Sequence, residues 1–183
     1  KVWITALDKD PAAVQKLMAT MKTYGLDAGG HFWVDDLKRM AWSSAVEEMQ
    51  VKDTALWIIT GSVERFKEDS IRKGLSLLSL SLQSFKGMGF PVFILPAAGE
   101  LTADSLPLPL KGADILPAAS ATLGPKIVAA ANMPVKPVDV PYHLYLHALE
   151  GIGLWFEVGP AKGMQWGGAL FGVCGADIDV HGI

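Results

Sequence analysis

Residues 29–62 read GGHFWVDDLKRMAWSSAVEEMQVKDTALWIITGS, and the order of signals in this stretch decides the fold. A strand ends at Trp33, an acidic loop follows with Asp35 and Asp36, a helix opens near Trp42, and a second strand closes on Thr60, Gly61 and Ser62. Loops beyond the carboxyl ends of parallel strands form the ligand crevice of open α/β sheets. Two aromatics and two carboxylates therefore fall where a crevice is expected.

Upstream, Val2 to Leu7 is a short run of β-branched, aromatic and aliphatic residues, the pattern of a strand buried on both faces. Asp8, Lys9 and Asp10 follow it, and Pro11 suits a first helical position because its missing N–H would be unpaired there anyway. Val14, Leu17, Met18 and Met21 then repeat at helical spacing up to Gly25, which stops the helix. Strand two runs from Leu26 to Trp33. Trp42, Ala45, Val46 and Met49 share one face of the second helix.

Downstream, Ala55 to Thr60 is a third buried strand, and Val63 to Phe85 reads as one long helix with two apolar stripes. Leu75, Leu78, Leu82 and Phe85 make the first, and Leu77 with Leu80 the second. A helix apolar on more than one face is covered by further protein or joins a partner, so both cover by the C-terminal segment and a homo-oligomer or partner seam over Leu75–Phe85 are expected readings. Pro91 to Leu95 is strand four, Ala113 to Leu116 a short strand five, and Pro125 opens a last helix through Ala131. Strands alternating with helices predict a five-stranded parallel sheet with helices on both faces, in flavodoxin-like order.

Three prolines between Pro134 and Pro141 mark a linker over 134–141. Beyond it, over 142–183, nine glycines between Gly151 and Gly182 interleave with Trp155, Trp166 and Phe171, which predicts a small β-type appendage of short strands and tight turns.

Composition bounds the function. The chain has 183 residues, half of them apolar and 19% charged, which is the profile of a globular protein. A net charge of −3 supplies no bulk attraction to nucleic acid or to an anionic membrane, so neither is an expected partner. No apolar run approaches the roughly 20 residues of a membrane helix. The single Cys174 excludes an internal disulfide and fits a reducing, cytoplasmic setting. Its apolar neighbours favour a buried, inert thiol. Lys1 opens directly into a strand-like run with no secretory leader pattern, and the missing initiator Met points to a trimmed start.

Over residues 1–133 the chain resembles a TIR (Toll/interleukin-1 receptor) or TIR-like domain. The resemblance rests on a first strand leading into Asp8-Lys9-Asp10, a first helix ending Tyr24-Gly25-Leu26, and the Trp33-x-Asp35-Asp36 segment. It rests also on Trp42 followed by an acidic helix, and on a strand ending Thr60-Gly61-Ser62. It implies a flavodoxin-like fold, a role in signalling by self-association or partner binding and, for many bacterial members, cleavage of NAD. Enzymatic members carry a glutamate on the helix after strand three, facing the nicotinamide ribose. Aligning that helix from Ser62 puts Gly74 near the position, with Glu64 and Glu68 the nearest carboxylates in a shifted register. Without a placed carboxylate the site loses the electrostatic stabilisation of the developing oxocarbenium ion, so a noncatalytic interaction domain of bacterial type is the leading expectation.

The alternative is an NAD- or nucleoside-cleaving enzyme, with Glu68 as its catalytic carboxylate and Asp8, Trp33, Asp35, Asp36, Trp42 and Ser62 as nucleotide-binding candidates. NAD enters only as ligand or substrate, and no resident cofactor is expected. Each candidate also has a structural reading: Asp35 and Asp36 as a capping loop, Trp33 and Trp42 as core aromatics, Ser62 bonding its own backbone. A phosphorylated receiver fits Asp8 and Asp10 in part, but Thr60-Gly61-Ser62 stands where its phosphoacceptor aspartate would be. His143 and His147 share a face if helical and lie about 13 Å apart if on a strand; no metal site is expected of them. The Gly167–Gly172 run lacks the Lys and Ser/Thr of a phosphate loop, and Gly151-Ile152-Gly153 lacks the third glycine of a dinucleotide fingerprint.

Overall fold

In the computed structural model, residues 1–135, 137–168, 170 and 172 are described. Five strands form a parallel sheet in the order β2-β1-β3-β4-β5, with β1 at Val2–Ala6, β2 at Ala28–Phe32, β3 at Leu56–Gly61, β4 at Val92–Pro96 and β5 at Asp114–Ile115. This is the flavodoxin-like order expected of short right-handed crossovers.

Alternation along the central strands builds two cores, one on each face of the sheet. Val2 and Ile4 of β1 join Leu56 and Ile58 of β3 in a cluster closed by Met21, Leu123 and Ile127. The last three come from α1 (Pro11–Thr23) and α5 (Leu123–Asn132). Trp3, Trp57 and Ile59 point the other way, into a larger cluster with Met49, Phe66, Leu75, Leu78 and Leu82. Those side chains come from α2 (Val46–Gln50), α3 (Val63–Lys67) and α4 (Asp69–Lys86). The indole N–H of Trp57, wholly buried, donates to Thr5 Oγ1 at 2.8 Å, so a large polar-edged side chain enters the core with its donor satisfied.

Local chemistry explains the boundaries. Asp10 caps α1 by accepting from Ala13 N–H at 3.0 Å, and Gly25, at φ 74°, takes the left-handed turn after its last residue. The second helix begins differently from expectation: Met40 sits at φ 52° and leads into a 3₁₀ turn over Ala41–Ala45 before α2 proper. The long helix expected over Val63–Phe85 is two helices. Glu68 is extended (φ −65°, ψ 126°), its N–H closing α3 on Arg65 O while its own carbonyl accepts the Arg72 N–H that starts α4.

Beyond the sheet, β6 (Tyr142–Leu149) and β7 (Gly153–Pro160) form an antiparallel hairpin. β6 lies against α4: Leu146 is buried in the same cluster as Leu78 and Leu82, and Ser81 Oγ reaches Leu146 O at 3.5 Å. The C-terminal segment thereby packs beside Leu78 and Leu82 of the first apolar stripe of α4, while Leu77 and Leu80 of the second are partly buried. The readings of Cys174 and of the Gly167–Gly172 run fall wholly or partly outside the described residues.

Candidate functional site

β1 and β3 are adjacent and parallel, with Ala6 level with Thr60, and the chain leaves them toward opposite sides of the sheet. Asp8 and Ser62, two residues further along each strand, thus meet at the topological switch point, where ligands of such sheets bind. Asp8 accepts from the Ser62 backbone N–H at 2.6 Å and faces Ser62 Oγ at 3.2 Å. Ser62 is the residue before α3, so one carboxylate holds the start of that helix through both groups.

Arg65 completes the cluster, and the sequence reading had not singled it out. Its Nε lies 3.9 Å from Asp8 Oδ1 and donates to Leu7 O, while its Nη1 donates to Glu68 Oε2 at 2.6 Å. The available signal was the three-residue spacing from Arg65 to Glu68 on a helix that starts at the crevice. Arg65 balances both carboxylates, and Glu68 stands at the break between α3 and α4 as half of a close ion pair.

The acidic loop divides. Asp35 Oδ2 accepts from Ser70 Oγ in the first turn of α4 at 2.7 Å, and Asp36 Oδ1 accepts from Arg39 N–H at 2.9 Å. The first bond ties the loop to α4, and the second closes a local turn. The two adjacent carboxylates therefore serve different partners.

Both tryptophans lie in the core, Trp33 at 3% exposure and Trp42 at 2%. Their indole N–H groups find no acceptor among the described residues. At that burial both rings pack within the core cluster. Trp33 lies over Gly74 of α4: a Cβ built at Gly74 would come within 2.5 Å of Trp33 Cζ2 and 3.4 Å of Leu37 Cδ2. A side chain at this position would have to displace the indole.

On the hairpin, His143 Nε2 and His147 Nε2 flank the carboxylate of Glu157 at 3.7 and 4.0 Å, with all three side chains partly exposed. Among the described residues no group of three or more His, Cys, Asp or Glu side chains has the geometry to hold a metal ion. A groove of about 530 Å³ runs between α4 and the hairpin, lined by Leu80, Gln83, Leu108, Tyr142 and Tyr145, away from the switch point. No helix among the described residues is long and apolar enough to cross a membrane. No protein-family model matches the chain, and no curated protein matches it.

Proposed function

We propose that the chain is a TIR-like interaction domain that relays a signal through protein contacts and does not turn over nucleotide at its switch-point crevice. The observation that carries this reading is the packing of Trp33 on Gly74. Counted from Ser62, the TIR resemblance would put its glutamate near Gly74, where a methyl group could enter only by moving a buried indole. The remaining carboxylates are engaged internally, Asp8 by Ser62 and Arg65, Asp35 by Ser70. The lone Cys174 fits a reducing compartment such as the cytoplasm.

A second reading, cleavage of NAD or another nucleoside at its glycosidic bond, draws on Glu68, whose carboxylate lies at the edge of the same cluster. Against it stands Arg65, whose guanidinium offsets the charge that would have to stabilise an oxocarbenium ion. Proton NMR of the protein with NAD over a day separates the two. The interaction reading expects no free nicotinamide. Steady release that disappears in Glu68→Gln would overturn it and make Glu68 the catalytic carboxylate.

A further inference from the structure

The hairpin carries an edge that no strand among the described residues uses, and its geometry is defined. β6 and β7 pair in strict register from Tyr142 opposite Pro160 to Leu149 opposite Gly153. Just outside it, Ala161 N–H donates to Pro141 O at 3.1 Å, which marks 141 and 161 as a hydrogen-bonded pair. Hydrogen-bonded and non-hydrogen-bonded pairs alternate along an antiparallel ladder. Residues 159, 157, 155 and 153 therefore turn their backbone groups toward β6, and Leu154, Phe156 and Val158 turn theirs outward. Among the described residues β7 pairs with β6 alone.

The same three residues carry the exposed apolar surface. Leu154, Phe156 and Val158 stand opposite Ala148, Leu146 and Leu144, so they share the face that β6 lays on α4. Leu146 is buried there, yet Leu154, Phe156 and Val158 remain 39%, 42% and 49% exposed. The apolar face of the hairpin overhangs the helix by one strand. No Lys, Arg or internal Pro protects this edge, and Glu157 is its one charge.

We propose that β7 pairs with β7 of a second copy of this chain, antiparallel about a two-fold axis through Phe156, giving a continuous four-stranded sheet. The register follows from the outward groups. With Phe156 opposite Phe156 of the second copy, Leu154 meets Val158, and all three outward N–H and all three outward C=O groups of each strand are paired. Shifting the axis to Trp155 would call on Ile152, whose N–H is already held by Leu149 O in the turn. Shifting it to Glu157 would set two carboxylates face to face and enlist Pro160, which has no N–H. In the chosen register the overhanging apolar residues meet only one another, and each Glu157 faces a Trp155. Three strand spacings put the two β6 strands about 14 Å apart, and a helix with its side chains is about 10–12 Å across. The two α4 helices then flank the seam without collision and close the overhang between them.

The hairpin lies outside the region of TIR resemblance, so this contact is independent of what the crevice does, and the nicotinamide assay and the association assay fail separately. The test is sedimentation equilibrium of the chain from micromolar to several hundred micromolar. A concentration-dependent dimer is expected, reduced at least tenfold in association by Phe156→Lys with an unchanged far-UV spectrum. In a Cys174→Ser background, Phe156→Cys should oxidise to a covalent dimer, because hydrogen-bonded cross-strand Cα atoms lie about 5.5 Å apart. Phe85→Cys, at similar exposure on α4, should not. If Phe156→Lys fails to fold, the two cysteine variants decide alone. A monomer at every concentration overturns the proposal, whether the outward amides of β7 exchange freely or are protected by the chain's own C-terminal residues. A dimer that survives Phe156→Lys and cross-links through Phe85→Cys overturns it in favour of a helical seam.

Discussion

β3 reads Leu-Trp-Ile-Ile-Thr-Gly and β7 reads Gly-Leu-Trp-Phe-Glu-Val-Gly-Pro, two tryptophan-bearing apolar strands of one chain. In β3 the side chains of both faces are consumed by the fold, Leu56 and Ile58 beneath α1 and α5, Trp57 and Ile59 beneath the helices opposite. In β7 one face carries Trp155, largely exposed, and the other carries three apolar residues that reach past the helix meant to cover them. Apolarity in a central parallel strand reports the fold's own needs; in an edge strand with the same composition it reports surface left over for something else. Composition alone does not separate the two cases, and the number of hydrogen-bonded neighbours does.

The contrast is sharpest in matched truncations. Trp57→Ala should cost about 3–5 kcal/mol, since it empties a wholly buried site and strands Thr5 Oγ1. Trp155→Ala should cost less than about 0.5 kcal/mol in the monomer. Urea denaturation at low micromolar concentration measures both, and equal costs would break the comparison.

β2 offers an intermediate case, an edge strand of the larger sheet that is partly covered. His31 accepts a hydrogen bond from Trp3 Nε1 at its Nδ1, 3.1 Å away, which requires a neutral imidazole, and burial lowers its pKa from 6.5 to about 4. The unfolded chain therefore binds the proton first as pH falls. Stability should be complete above about pH 6.5 and decline toward pH 4, by on the order of 2 kcal/mol once partial solvent exposure is allowed for. Denaturation midpoints across that range check it, and His31→Gln, which keeps an acceptor but does not titrate, should flatten that part of the profile.

A smaller effect is expected at Gly74. Gly74→Ala gains about 1 kcal/mol of helix propensity but drives its methyl into Trp33, for a net loss of about 1 kcal/mol by thermal or urea unfolding. Recovery in Gly74→Ala combined with Trp33→Phe would place the cost in that contact. Asp8→Asn should cost about 1 kcal/mol or less, because the half-exposed carboxylate it weakens holds only the entry to α3.

The sheet was legible because its strands are short, apolar and evenly separated by helical periods, and parallel order then follows from chain sense. The break at Glu68 was not, since nothing in Phe66 to Ser70 disfavours a continuous helix; the tie from Arg65 to Glu68 is visible only in space. For the site, sequence brought Asp8 and Ser62 to neighbouring strand ends, where they meet. It could not separate Asp35 from Asp36, whose partners, Ser70 and the Arg39 backbone, differ by more than thirty positions in chain distance. Trp33 follows a strand and Trp42 lies in a 3₁₀ turn, and an exposure of 3% or less at such places depends on packing that no spacing encodes. The one-strand overhang of β7 likewise needs the position of α4.

The seat of Trp33 on Gly74 also constrains how this sequence can change. A carboxylate placed at Gly74 while the indole is present collides with it, and trimming the indole while Gly74 stays bare opens a void in the core. Each change alone carries a cost that depends on the residue at the other position, so the two positions are coupled. Substitution at one of them is therefore judged by its partner, as a key is judged by the lock it is cut for.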